Sequence, residues 1–211
     1  MNWLKTNWSC EKWPPTTEFG FRHLCADDVK AVMKLSKASF PIRYPDCWFE
    51  GFCLNHRDDY CAIGCFVEGR LVGFIVIVRD YFNFELVHRS TEFEDKLAEE
   101  TEKKLSYVTS LAVDRRFQRL GIATEMMRLA IGNCLNHEMK PRIMYLHVHH
   151  TNVSAQKMYA KMGFVNRHVN LRYYHIDGEE QAAYVFVKNL ADLLNCRIDA
   201  LSSFNNNNNK E

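Results

Sequence analysis

Residues 105–131 read LSYVTSLAVDRRFQRLGIATEMMRLAI, and the order of residue types in this stretch decides the architecture. Tyr107 to Val113 alternate as a strand does, and a basic turn containing Arg115, Arg116 and Arg119 follows. Gln118-Arg119-Leu120-Gly121-Ile122-Ala123 then opens a helix that carries Ile122, Met126, Ala130 and Cys134 at spacings of four, the pattern of a core-facing stripe. A strand feeding a Gly-containing turn at a helix start presents backbone N–H groups to an anion. Gly121 lacks a Cβ, so a diphosphate can approach the backbone closely, and Ala123 is nearly as small. No Gly-Lys-Ser/Thr follows, and the three-glycine dinucleotide spacing is absent, which excludes both of those phosphate loops.

Composition sets the outer bounds. The chain has 211 residues, enough for one domain with a substantial core. A net charge of +1 gives no global electrostatic reason to bind nucleic acid. Eight cysteines without a secretory leader predict free thiols in a reducing compartment. Cys61 and Cys65 fall four apart in a predicted strand and share one face, with no second pair at ligand spacing, so no metal is expected there. Leu71 to Val78 is the longest apolar run and is too short to span a bilayer.

Outward from the central stretch, Phe19 to Leu24 predict a first strand, and Asp27 and Asp28 open a helix carrying Val29, Val32, Met33 and Leu35. Pro41 and Pro45 force an extended loop, and a short helix through Trp48, Phe49 and Phe52 comes next. Asp59–Val67 and Leu71–Val78 read as an antiparallel hairpin, and Asp80–Lys104 as a charged, mobile or partly helical insertion. Arg142–His149 predict a strand and Asn152–Lys161 a helix. Phe164–Val169 and Ala182–Val187 predict closing strands, joined by a loop that holds Tyr173 and Tyr174. Apolar positions at 190, 193, 194, 198 and 201 predict a last helix before an Asn-rich tail. Residues 1–17, with Trp3, Trp8 and Trp13 ahead of Pro14-Pro15, read as an extension anchored on the domain, a partner or a membrane interface. The division is therefore an extension at 1–17, a domain at 18–190, and a helix with tail at 191–211. The fold class is α+β (mixed α/β), a central mixed sheet flanked by helices.

Gln118-x-x-Gly121-x-Ala123 resembles the acetyl-CoA signature of the GNAT acetyltransferase superfamily. A second block, Tyr145-Leu146-His147-Val148 with Thr151-Asn152-x-Ser154-Ala155-x-x-x-Tyr159-x-x-x-Gly163-Phe164, resembles another segment of that superfamily. This block, the Phe40-Pro41-Ile42-x-Tyr44 loop and the pair Tyr173-Tyr174 resemble the Nα-acetyltransferases, closest to the NatF type with NatE next. The resemblance implies the GNAT fold, a sheet of about seven strands, and acetyl-CoA as cosubstrate with no metal.

It also implies roles for particular residues. Tyr107 and His147, on the two central strands, hold a water and relay the amine's proton, with His147 the natural base near neutral pH. Leu111, Ala112 and Val113 pair with pantetheine as an added strand would, and a backbone N–H near Val113, where the strand bulges, serves the carbonyl. Gln118, Arg119, Leu120, Gly121, Ile122, Ala123 and Thr124 wrap the diphosphate. Asn152 bonds the amide arm beside Ser154 and Ala155, and Tyr159 donates to the departing thiolate. Phe40, Pro41 and Ile42 form an apolar wall for a first side chain, methionine, while Tyr44, Tyr107, Tyr173 and Tyr174 grip the peptide. His147 and His149 share a strand face with no carboxylate close in sequence, and a metal is not expected there.

The leading expectation is acetyl transfer to the α-amine of Met-starting proteins. Lysine acetylation, on histone tails for example, and docking on a larger ribosome-associated complex are the alternatives. The expected location is cytoplasmic, and resemblance to NatF implies the cytosolic face of the Golgi. Against a membrane surface, the closing helix carries Asp192 and Asp199 with only Arg197 basic.

Overall fold

The β-branched and aromatic residues of Tyr60–Val67 (β2) and Arg70–Val78 (β3) are buried on both faces, so this hairpin lies in the middle of its sheet. The computed structural model describes residues 18–54, 59–79, 92–101, 104–138 and 140–193. Around the hairpin the elements run in chain order as Phe19–His23 (β1), a 3-10 turn at Ala26–Asp28, Val29–Ser39 (α1), Asp46–Leu54 (α2), β2 and β3. There follow Glu92–Glu100 (α3), Leu105–Val113 (β4), Ile122–Asn136 (α4), Ile143–His149 (β5), Val153–Lys161 (α5), Val165–Ile176 (β6) and Glu179–Asn189 (β7). The strands form one 7-stranded sheet in the order β1-β2-β3-β4-β5-β7-β6. All neighbours are antiparallel except β4 and β5, so the sheet is mixed, as expected.

Strand alternation sends the two sets of side chains to different layers. Met144, Leu146 and Val148 of β5 face α4, whose Ile122, Met126, Ala130 and Cys134 are all buried, as their spacing predicts. Gly73 lets α4 sit close, because a Cβ there would lie 3.0 Å from the Met126 methyl and 3.2 Å from the Ala112 carbonyl. Phe74, Val76 and Ala112 point the other way, into α1 and α2 through Val32, Leu35, Phe49 and Phe52. Tyr107 and Tyr145 meet Leu97 and Ala98 of α3 on that same side. Cys61 and Cys65 share one face, as expected, and both are core residues of the α4 layer.

The structure corrects the reading of the closing strands. Tyr173 and Tyr174 lie within β6 and not in a loop; the turn is Asp177-Gly178 alone. Both residues take left-handed backbone, φ 53° and 84°, the type I′ signature that Asp-Gly favours. The insertion contains α3. Residues 1–17, all of 80–91 and the chain from 194 onward, including the rest of the predicted last helix and the Asn-rich tail, lie outside the described residues.

An ion pair fastens β1 to the start of α1. Arg22 donates to both Asp28 oxygens at 2.6 and 2.8 Å, the Cys25 N–H donates to the same carboxylate at 2.9 Å, and the guanidinium lies 3.9 Å from the Phe66 ring centre. Burial pushes the Asp28 carboxyl up, but the Arg22 and Cys25 bonds outweigh it and hold it below its usual range. A lowered folded-state value stabilises above the unfolded carboxylate range and is lost as pH falls through it, below about pH 4. Arg22→Ala leaves that carboxylate buried alone, so chemical denaturation should show a loss of about 3 kcal/mol at pH 7. The difference from wild type should shrink as the measurement moves below about pH 4.

Candidate active site

Strands β4 and β5 pair only from Leu105↔Ile143 to Val108↔Leu146, and then part. The cause is visible in β4. Val76 faces Ser110 while Ile77 faces Val108, so Thr109 is an extra residue, and its hydroxyl donates to the Val76 carbonyl at 3.1 Å. The bulge therefore sits at Thr109 and not near Val113, which pairs regularly with Gly73. Beyond the bulge the β5-facing edge of β4 has no neighbouring strand among the described residues. A groove of about 880 Å³ opens along it, lined by residues from both faces of the sheet.

One end of the groove is the start of α4. Gly121 takes φ 85° and Arg119 φ 64°, and no side chain caps the helix, so its first N–H groups point toward the groove unoccupied by a capping oxygen. Leu111, Ala112, Val113, Gln118, Arg119, Gly121, Ile122, Ala123 and Thr124 all line the groove, as do Asn152, Ser154, Ala155 and Tyr159. Leu120 does not; it is buried in the α4 layer and can contribute backbone alone. Gln118 donates to the Val113 carbonyl at 3.0 Å and so braces its own turn. Arg119 reaches across to the Ser154 hydroxyl at 3.3 Å. The Asn152 oxygen caps α5 through the Ala155 N–H at 3.2 Å, which leaves its amide nitrogen for a ligand.

Arg116 faces away, bound to Asp114 at 2.7 and 3.1 Å, and this partner holds the Asp114 carboxyl down at about 2. Arg115 and Arg119 do line the groove, joined by Lys157 and Lys161, which the sequence reading did not single out. Every formally charged lining residue is cationic, which suits a phosphate-bearing ligand.

The opposite end is apolar and aromatic. Phe40, Pro41, Ile42 and Tyr44 come from the α1–α2 loop, which begins where Phe40 turns extended ahead of Pro41. Phe40 packs edge-on against Tyr44 and Phe74, and Tyr44 stacks on Trp48 with centroids 4.4 Å apart. Tyr174 and Ile176 of β6 line the same end. Burial pushes the Tyr44 phenol up to about 12 and raises those of Tyr174 and Tyr159, so all three remain neutral hydroxyls.

His147 lies between the two ends. Its Nδ1 is 3.2 Å from the Tyr107 hydroxyl, which is 2.9 Å from the Tyr173 hydroxyl, and its ring stacks on Tyr173 at 3.8 Å. Tyr107 and Tyr173 do not line the groove; they stand behind His147, so they touch the reaction through it or through their shared hydroxyl pair. Two residues of β6 beyond the count of β7 fall between Asn170↔Ala183 and Tyr174↔Gln181. That irregularity turns both tyrosines inward, with ring centres 4.9 Å apart, where a regular strand would send them to opposite faces. Burial, with Tyr173 adding to it, raises the Tyr107 phenol well above its ordinary value, so Tyr107 orients and does not act as the base.

Sequence reasoning missed Glu94. It is buried on α3, and its Oε1 lies 3.6 Å from Nε2 of His147, also buried. Its signal was a charged residue one turn before Leu97 and Ala98, on the apolar face of a short helix.

Residues 29–164 match the acetyltransferase (GNAT) family. N-alpha-acetyltransferase 60 of Xenopus tropicalis is 32% identical over 171 residues, covering 79% of this chain and 67% of that protein. The Danio rerio protein of the same name is 29% identical over 82% of this chain and 72% of its own. In fold, the chain is similar to Arabidopsis thaliana NAA60 in complex with acetyl-CoA, with a TM-score of 0.67 and 22% identity over 82% of this chain and 99% of that one. The uncapped α4 start, the left-handed Gly121 and the unpaired β4 edge fit acetyl-CoA, and Gly121→Val tests that fit. It should weaken acetyl-CoA binding at least about tenfold by calorimetry and cost about 1–2 kcal/mol of stability, since a side chain at this φ is strained. The chain belongs to the acetyltransferase (GNAT) family and is an acetyltransferase.

Proposed function

We propose that the protein acetylates the α-amino group of polypeptides that begin with methionine. One observation carries this reading: the acceptor end of the groove is pinched between the Phe40–Tyr44 loop and the β6 residues Tyr174 and Ile176, with His147 on its floor. An apolar slot between a loop and a projecting strand end suits the end of a chain whose first side chain is long and unbranched. Tyr44 and Tyr174, held neutral by burial, offer hydroxyls to a peptide backbone, which every sequence shares. An α-amine, with a pKa of roughly 8, needs little help to lose its proton; a lysine starts about 3 kcal/mol worse off.

Acetyl-CoA, when bound, supplies the acetyl group as an activated thioester. Leu111, Ala112 and Val113 would hold its arm along the open β4 edge, the α4 start and Arg119 its phosphates, and the Asn152 amide nitrogen an amide oxygen. His147 accepts the amine's proton at Nδ1 by way of the Tyr107 hydroxyl and water. Glu94 stabilises the positive charge that His147 gains, on the opposite side of the ring. As the amine nitrogen bonds to the acetyl carbon and the carbon–sulfur bond breaks, Tyr159, kept protonated by burial, would pass its proton to the leaving sulfur, and the proton shed by the nitrogen would return the phenol to its neutral form.

His147→Ala should lower kcat by about 100-fold or more while acetyl-CoA affinity is preserved. Glu94→Gln should lower kcat and move the acid limb of the pH–rate profile to lower pH, since imidazolium loses its carboxylate partner. Initial rates on peptides beginning Met-Lys and Met-Leu, beside one with a capped terminus and an internal lysine, test the substrate. Turnover confined to the first two supports Nα-acetylation; faster turnover of the capped peptide would move the assignment to lysine.

A further inference from the structure

His149 lies two residues beyond His147, on the same face of β5, and the chemistry above makes no use of it. Its Nδ1 accepts the Thr151 backbone N–H at 3.3 Å and faces the Thr151 hydroxyl at 2.8 Å. A backbone N–H can only donate, so that nitrogen carries the lone pair and Nε2 carries the proton. Nε2 donates to the side-chain oxygen of Gln181 on β7 at 2.5 Å. Gln156 of α5 fixes the other side, donating to the carbonyls of His149 and His150 at 3.2 and 2.8 Å.

The need for such a tie follows from the register. Strand β5 ends at His149↔Ala183, and one last bond, from the His150 N–H to the Ala182 carbonyl at 3.1 Å, follows it, whereas β7 continues outward to Glu179. Beyond that point β6 and β7 run on as a two-stranded ribbon, after the irregularity between Asn170 and Tyr174. Two-stranded ribbons are marginal by themselves. This ribbon nevertheless carries Tyr174, directly opposite Gln181, and Ile176, which form one wall of the acceptor groove.

We infer that His149 is a positioning residue for the acceptor peptide: through Gln181 it fastens the ribbon tip so that Tyr174 and Ile176 close the groove. The inference rests on the reading of that end of the groove as a peptide site. Gln181→Met keeps the side chain's size and removes the acceptor; His149→Phe keeps the ring and removes both nitrogens. Each should raise the KM for a Met-starting peptide about 5- to 20-fold, with kcat and acetyl-CoA Kd within twofold of wild type. The double variant should be no worse than the poorer single one. Gln181→Glu keeps an acceptor oxygen and should restore KM to within about twofold.

Amide hydrogen exchange across residues 172–181, measured in the full chain, should quicken in both single variants. Unchanged KM and unchanged exchange in folded variants would overturn the inference, as would a joint loss of kcat and acetyl-CoA affinity. If the wild-type enzyme acetylated no peptide N-terminus, the substrate assignment would fail. The exchange measurement would still decide whether the tie exists.

Discussion

Parallel pairing between β4 and β5 lasts four residues, and everything that gives this protein a site depends on its stopping there. A continued ladder would satisfy the outer edge of β4 with β5 and close the sheet over the groove. Thr109 prevents this by adding one residue to β4, which re-aims the strand as it leaves its neighbour. The unpaired edge then runs toward the uncapped start of α4, and the sheet contributes side chains from both of its faces to one opening. The α4 start, His147 and the aromatic end of the groove are thus brought along one opening by a local break in hydrogen bonding.

The two ends of the groove are built by different physics. At the α4 end, recognition comes mainly from backbone: left-handed Gly121, free helix N–H groups and a rim of cations. At the acceptor end it comes from aromatic side chains packed on one another, with Phe40, Tyr44 and Trp48 in successive contact. Between them sits a chain of titratable groups, the buried Glu94, His147 and Tyr107 side chains and the half-buried Tyr173, each within about van der Waals or hydrogen-bond reach of the next. Water exclusion makes each of those contacts electrostatically stronger than its exposed counterpart.

Much of this was legible in the residues. The four-residue spacing of Ile122, Met126, Ala130 and Cys134 declares a helix face, and Gly121 ahead of it declares the turn, because both depend on local geometry alone. The proximity of Tyr107 and His147 was legible only through the resemblance. The missed features have non-local causes or competing local ones. Glu94 is paired with a residue more than fifty positions away. The placement of Tyr173 and Tyr174 on one side depends on an irregular register that no strand pattern announces. Arg116 counted toward the positive charge of the basic turn, yet Asp114, two residues earlier, claims it. Asp177-Gly178 was the neglected plain signal: it shortens the hairpin turn to two residues and carries the strand past both tyrosines.

The carboxylate at His147 arrives on α3, a nine-residue helix held to the sheet through Leu97, Ala98 and the stacking of Phe93 on His168. None of those contacts lies in the groove. On the proposed mechanism, the free energy that docks this helix is therefore also the free energy that brings Glu94 to His147. If the proposed pairing holds, a loosened α3 would cost turnover first, because its carboxylate would leave His147 while the α4 start and the open β4 edge stayed in place.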